Sequence, residues 1–333
     1  MAVTRIADVI VPNVFTDYVV QNTMEKSALV QSGIMTRNAE IAEQLRAGAD
    51  SFNVPFWLDL SDEEADIVND DPDDLSVPLK ISSGKQVVRK SFLHKSWSAM
   101  NLASELSGSD ALARIQSRVD AYWTRQVQRR LIATLNGILA DNVANDDGDM
   151  VLDVSGETGS AAVFGPAAVI DAAGTLGNQM GAVAGVAMHS DVFRNALKND
   201  QIESIRDSDN RSFQTYRGMA VVVDDMMPVD RTVPDAPVYT TTLFSPGVIG
   251  WNVTAPRVAD GTEIESRPSA GNGGGQEILH SRVNLALHPA GFSWVEGTVL
   301  EDSPSLAELA LAANWNRIVD RKAAGLAFLK SRL

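Results

Sequence analysis

Four histidines, two acidic clusters and one glycine run are the features of this sequence with the potential for chemistry. His94, His189, His280 and His288 stand apart, and no two have the helical spacing of a metal-binding pair. Asp191 follows His189, a pairing that with a serine would suggest nucleophilic catalysis. No glycine-flanked serine elbow accompanies it. Asn145 to Asp149 has the composition of a calcium loop. With Gly148 at the sixth loop position, however, Val143 and Val154 fall where the first and the bidentate carboxylates belong, so a solvated turn is expected. Gly271, Gly273, Gly274 and Gly275 follow a polar stretch rather than a strand and open no helix. They predict a mobile surface loop and not a phosphate cradle. The catalytic, cofactor and metal sets are thus empty, and the sequence reads as a non-enzyme with no cofactor.

Composition narrows the partners. The 333 residues are 44% hydrophobic and 21% charged, an ordinary globular balance. Lys plus Arg number 28 against 43 Asp plus Glu, a net charge of -15, which repels DNA and anionic membranes at long range. Cysteine is absent, so there is no disulfide framework, thiolate site or thiol nucleophile, in keeping with synthesis in a reducing cytoplasm. The first residues lack the design of a secretory signal, and no apolar run approaches the ~20 residues of a membrane span. A soluble chain with no membrane partner is expected.

The charges sit on recognisable elements. Val9 to Pro12 reads as an extended arm; Phe15, Tyr18, Val19 and Asn22, then Ile41 and Leu45, have helical spacing, with a stop at Gly48. Phe52, Val54, Phe56 and Leu58 alternate as a strand does. An acidic tract from Asp59 to Asp74 follows, interrupted by Pro72, and the chain returns through Lys80, Lys85, Arg89, Lys90 and Lys95. This predicts a long hairpin with an acidic outer part and a basic return. The return lacks aromatic residues interleaved for base stacking, which favours acidic protein surface over nucleic acid. The strongest helix spans 109–141, with Ser109 as N-cap and Leu112, Ile115, Val119, Tyr122, Val127, Leu131, Leu135 and Ile138 near the 3.6 period. At 1.5 Å per residue its ~32 residues would run roughly 48 Å. Arg114, Arg118, Arg125, Arg129 and Arg130 lie along it, and Gly108 and Gly137 are its expected bending points. Helix and strand then alternate from 160 to 275: a helix over Pro166–Met180, Ser190 capping the next over Asp191–Asn199, and β runs at Val183–Met188, Met219–Val223, Val238–Phe244 and Val248–Trp251. Ser281–Leu287 and Phe292–Val299 form a returning strand pair, and the tail from Ser305 is expected to be helical.

That order of elements resembles the major capsid proteins of tailed double-stranded DNA bacteriophages, of the Hong Kong 97 type. Local stretches carry the same resemblance: Phe92 to Ser98, Tyr216 to Pro228, Val238 to Gly250, His288 to Phe292, and Asn314-Trp315. The resemblance implies an α+β fold with an N-terminal arm (1–50), an extended β-hairpin loop (51–100) and a peripheral domain (101–158) carrying the long spine helix. It further implies an axial α/β domain (159–275), then return strands of the peripheral domain and a C-terminal helix (276–333). The function implied is self-assembly into hexamers and pentamers of an icosahedral shell around double-stranded DNA. Other partners would be scaffolding, portal and decoration proteins; the arm starts close to Met1, so separate scaffolding or none is expected. The chain would be made in the bacterial host cytoplasm and reside in the virion capsid. Encapsulin-like compartments and gene-transfer-agent shells share this fold and form the alternative; an α/β enzyme is the remaining one. On the capsid reading the inter-subunit contacts fall to Lys80, Lys85, Arg89 and Lys90, to Asp70, Asp71, Asp73 and Asp74, and to Arg118, Arg125 and Arg129. Exposed ion pairs are worth only ~0–1 kcal/mol each, but a shell repeats them. Reversing Arg89 and Lys90 to Glu would then weaken assembly without unfolding the subunit.

Overall fold

The computed structural model describes residues 32–333, apart from 59, 61, 62, 69, 72, 74 and 207–211. The expected arm and first helical turns, up to Asn22, lie outside the described residues, as do Asp59, Asp62 and Asp74 of the acidic tract.

The chain opens with β1 (Met35–Arg37), α1 (Ala39–Arg46), β2 (Ser51–Trp57), β3 (Ser83–Met100), α2 (Asn101–Ser107) and α3 (Ala111–Asn145). Next come β4 (Val151–Asp153), α4 (Pro166–Gly174), β5 (Gly185–Met188), α5 (Ser190–Lys198), β6 (Glu203–Arg206), β7 (Ser212–Tyr216), β8 (Met219–Val223), β9 (Val229–Asp230) and β10 (Val238–Phe244). The remainder is β11 (Ile249–Thr254), β12 (Thr262–Arg267), β13 (Gln276–Pro289), β14 (Phe292–Trp294), α6 (Leu306–Leu309), β15 (Trp315–Arg317), α7 (Arg321–Ala324) and β16 (Leu326–Ser331).

Two sheets share the load. The first has the order β1-β11-β13-β3-β2, with β12 also on β13; the second runs β4-β16-β10-β5-β8-β7-β6, with β9 on β10. β11 and β12 fall inside 159–275 yet belong to the first sheet, while β16 falls inside 276–333 and belongs to the second. The sheets therefore interleave these two segments instead of dividing at their boundary.

The long helix forms as its periodicity requires and runs 35 residues, about 52 Å. Its N-cap is Asp110, whose carboxylate accepts the Leu112 and Ala113 amides at 2.9 and 3.0 Å. Ser109 precedes it because Gly108, in the left-handed conformation (φ 67°), ends α2 and turns the chain first. Burial divides α3 in two: Val127 to Asn142 supply nearly all its buried residues, whereas the first four turns bury only Leu112. The buried half packs with both sheets around Ile34, Leu131, Ile138, Phe244, Leu285 and Phe328. A second core lies between α4, α5 and the second sheet, and a third holds Ile41 and Leu45 of α1 against Val88 and Ala286.

Two expectations need correction. The helix continues through Gly137, whose missing side chain admits a neighbour: a Cβ there would sit 2.1 Å from the Leu309 carbonyl oxygen and 2.5 Å from Trp315 Nε1. The glycine thus serves close approach, since the Trp315 indole N–H donates to that same carbonyl at 2.8 Å. The tail, expected to be helical, has only the single turns of α6, closed by a Ser305–Glu308 capping box, and α7. Leu326 to Ser331 then run as a strand between β10 and β4, because their alternating contacts are met inside a sheet. Gly137→Ala should lower stability by about 2 kcal/mol, the overpacking cost outweighing the helix propensity gained. A fall in the urea midpoint at unchanged slope checks this.

Candidate assembly surfaces

The reaching loop is built from the outer half of the first sheet. β2 pairs antiparallel with the first seven residues of β3, Ser51 opposite Arg89 and Trp57 opposite Ser83. One further bond, from the Leu58 amide to the Ser82 carbonyl at 2.9 Å, ends the ladder. Between them the described residues make no strand, and all are exposed. Asp70, Asp71 and Asp73 lie here in the open; the Asp73 amide donates to the Asp71 carboxylate at 3.0 Å. Asp74 is outside the described residues. Among them stand large apolar side chains with no core beneath: Val68 is 95% exposed, Leu75 79% and Val77 77%. The charges of this loop dominate its sequence, yet Leu75, Val77, Leu79 and Ile81 alternate there as visibly.

The basic return splits into two kinds of residue. Lys80 and Lys85 are exposed. Arg89 and Lys90 are buried, which corrects their assignment as contacts to a neighbour. Arg89 forms ion pairs with Asp50 and, at 3.2 Å, with Glu296, and donates to the Asp302 carbonyl at 3.0 Å. Lys90 is 0% exposed; its ammonium donates to the Ala47 carbonyl at 3.0 Å and lies 5.8 Å from the centre of the Phe52 ring. Burial holds the Lys90 amine below its ordinary range. These two cations fasten the base of the hairpin to the end of α1 and to the 296–302 segment.

On α3, Arg118 and Arg125 are half-buried and Arg129 is exposed. With Arg114, Trp97, Ile115, Val119 and Tyr122, the first two line a groove of ≈ 220 Å³ between the helix and β3. Trp97 meets Tyr122 edge-on, ring centres 5.1 Å apart, which fixes one wall. The result is an apolar floor rimmed by guanidinium groups, suited to an acidic segment with hydrophobic side chains. Arg130 is different: it is buried, donates to Ser91 Oγ at 3.0 Å, and burial pulls it down to about 10.

The candidate chemical sets resolve into structure. His189 Nδ1 accepts the Asp191 amide at 3.1 Å, so it, and not Ser190, caps α5. His288 is buried against Gln86 Oε1 at 3.1 Å, and desolvation pushes it down to about 4. The glycine run closes the β12–β13 hairpin with bonds from Gly275 to Ala270 and from Gly274 to Gly271, so it is a hydrogen-bonded turn. In the Asn145–Asp149 turn the cation is Arg317, bidentate to Asp149 at 2.7 and 3.0 Å and 3.3 Å from Asp146. His94 and His280 come together, a meeting that their 186-residue separation concealed.

Comparison with known proteins gives this geometry its family. The model of the Gp13-like family, "Major capsid protein 13-like", matches residues 114–326. The major capsid protein of Bacillus phage SPP1 is 36% identical over 337 residues, covering 100% of this chain and 99% of that one. The chain belongs to the Gp13-like major capsid protein family. Among solved structures, the cyanophage Pam1 capsid has a TM-score of 0.57 at 10% identity, covering 96% of both chains. The capsid of Ralstonia phage GP4 has 0.57 at 9%, covering 84% of this chain and 92% of that one. The capsid of a native gene-transfer-agent particle has 0.52 at 13%, over 97% and 96%. These establish the fold as the α+β capsid fold of the Hong Kong 97 type. As a major capsid protein of tailed phages, the chain is a self-associating structural subunit of the virion capsid, whose icosahedral shell it forms.

Two outcomes follow for the buried charges. The pair Arg89→Glu, Lys90→Glu should destabilise the subunit itself by more than about 3 kcal/mol, because it buries unpaired carboxylates beside Asp50 and Glu296; a thermal melt of the unassembled protein checks it. Arg317→Met should cost about 1–3 kcal/mol. Burial raises the Asp149 carboxyl, but the Arg317 and Asn142 hydrogen bonds more than offset this and hold it below its ordinary value. Its contribution is therefore present above the unfolded carboxylate range and fades as pH falls through the folded value. The stability difference between wild type and Arg317→Met should shrink steadily below about pH 4.

Proposed function

We propose that this capsid subunit assembles as hexamers and pentamers through contacts made by its extended loop and the first half of α3, and that it works by contact alone, without catalysis. The observation that carries the reading is the loop beyond Trp57. A monomer rarely leaves so many large apolar side chains in water along one segment unless a partner covers them. The loop is also acidic, at Asp70, Asp71 and Asp73, while the groove on α3 is apolar and rimmed by Arg118 and Arg125. Asp74 joins the acidic side, and Arg129, Lys80 and Lys85 supply further exposed cations for the seams between neighbours. Residues 1–50 act as an arm and 51–100 as the reaching loop; the first sheet with α3 acts as the peripheral domain, and the second sheet, which takes β16 from 276–333 but not β11 and β12 from 159–275, as the axial domain. The net charge of -15 keeps the enclosed double-stranded DNA from adhering to the shell. Scaffolding, portal and decoration proteins complete the set of partners, and synthesis takes place in the host cytoplasm.

The test is the triple change Leu75→Ser, Val77→Ser, Leu79→Ser. All three side chains are exposed in the subunit, so its melting temperature should not move. Removing them should weaken each inter-subunit contact by on the order of 3 kcal/mol, a hundredfold or more in its equilibrium constant. Negative-stain microscopy should then show capsomers or free subunits in place of shells. Shells at wild-type yield would overturn the reading.

A further inference from the structure

On the face of the first sheet opposite the long helix, His94 of β3 and His280 of β13 lie diagonally across the strand pair. His94 Nε2 is 3.2 Å from His280 Nδ1. The far nitrogen of His280, Nε2, is 3.2 Å from Glu265 Oε2 on β12, and Glu265 Oε1 accepts from Arg267 Nε at 2.7 Å. With metal–nitrogen bonds of about 2.0–2.1 Å, two nitrogens so spaced subtend about 100° at an ion, near the tetrahedral angle. Glu265 stands where metal-binding imidazoles carry their orienting carboxylate, on the nitrogen that does not meet the metal. His94 is exposed, so solvent reaches the open side of the pair.

We propose that His94 and His280 form a two-histidine chelate for Zn²⁺ or a similar divalent transition-metal ion, with Glu265 positioning His280 and water completing the coordination. Binding displaces the hydrogen shared between the two rings, so it is coupled to proton release. The cations facing the pair are both held, Arg282 by Glu263 at 2.9 Å and Arg267 by Glu265; Lys95, on the helix face of β3, adds to the positive field from behind. That field, and the presence of two protein ligands in place of three or four, make the site weaker than a structural zinc centre. Among the described residues no cluster of three or more His, Cys, Asp or Glu side chains is placed to hold an ion, so nothing competes at that ligand count.

The experiment is calorimetric titration of the full chain with zinc chloride at pH 7.5 and again at pH 5.5. The expected result is one ion per chain with micromolar affinity at the higher pH, weaker at the lower one as protons compete for the imidazoles. His94→Ala should abolish it, and Glu265→Gln should weaken it by about tenfold while circular dichroism and melting stay unchanged. Heat of binding absent at pH 7.5, binding only at millimolar zinc, or undiminished binding by His94→Ala would each overturn the proposal.

Discussion

Eleven consecutive residue pairs between β3 and β13, from Lys90 opposite Ala286 to Met100 opposite Gln276, hold the subunit together. Because side chains alternate along a strand, this register decides which residues meet α3 and which meet α1. On one face Ser91, Trp97 and Ser281 are aligned under the long helix, where Arg130, Tyr122 and Trp123 contact them. On the other, Val88 and Ala286 receive α1, and Lys90 reaches Ala47. A slip of one residue would turn Lys90 toward the helix and Ser91 toward α1. β3 is also longer than this pairing needs, and its first seven residues carry the loop outward on β2. The anchored half and the reaching half are one strand, so the loop inherits its direction from the seam.

Much of the subunit could be seen in the sequence where one element's own periodicity decides its fate. The long helix, the β2–β3 hairpin and β8 and β10, found at Met219–Val223 and Val238–Phe244 as expected, are of this kind. What could not be seen depends on residues distant in the chain. Lys80, Lys85, Arg89 and Lys90 look alike in a basic run, yet the last two find their partners at Asp50, Ala47, Glu296 and Asp302. His94 and His280 have meaning only across the β3–β13 pairing. The tail suggests a helix because Leu306 and Leu309 do begin a helical turn, and nothing local announces that β10 will claim Leu326–Ser331. Gly137 looked like a weak point in a helix; only the position of Trp315 shows it as a place of tight packing.

The family relationship and the physical reading meet in the distribution of polarity. The subunit buries the guanidinium groups of Arg89 and Arg317 in ion pairs that fix the base of the loop and the end of the long helix. It leaves hydrophobic side chains outside, on the loop. That is the reverse of a chain meant to stay alone in water, and it suits one that meets copies of itself. The helix follows the same division, with a buried second half and a first half whose arginines flank an apolar groove.

β16 lies between β10 and β4 and bonds to both. It also follows all the other described strands in the chain. During translation, the second sheet therefore lacks an interior member until Leu326–Ser331 has left the ribosome. A partly made subunit thus has its loop and its long helix before its second sheet is complete.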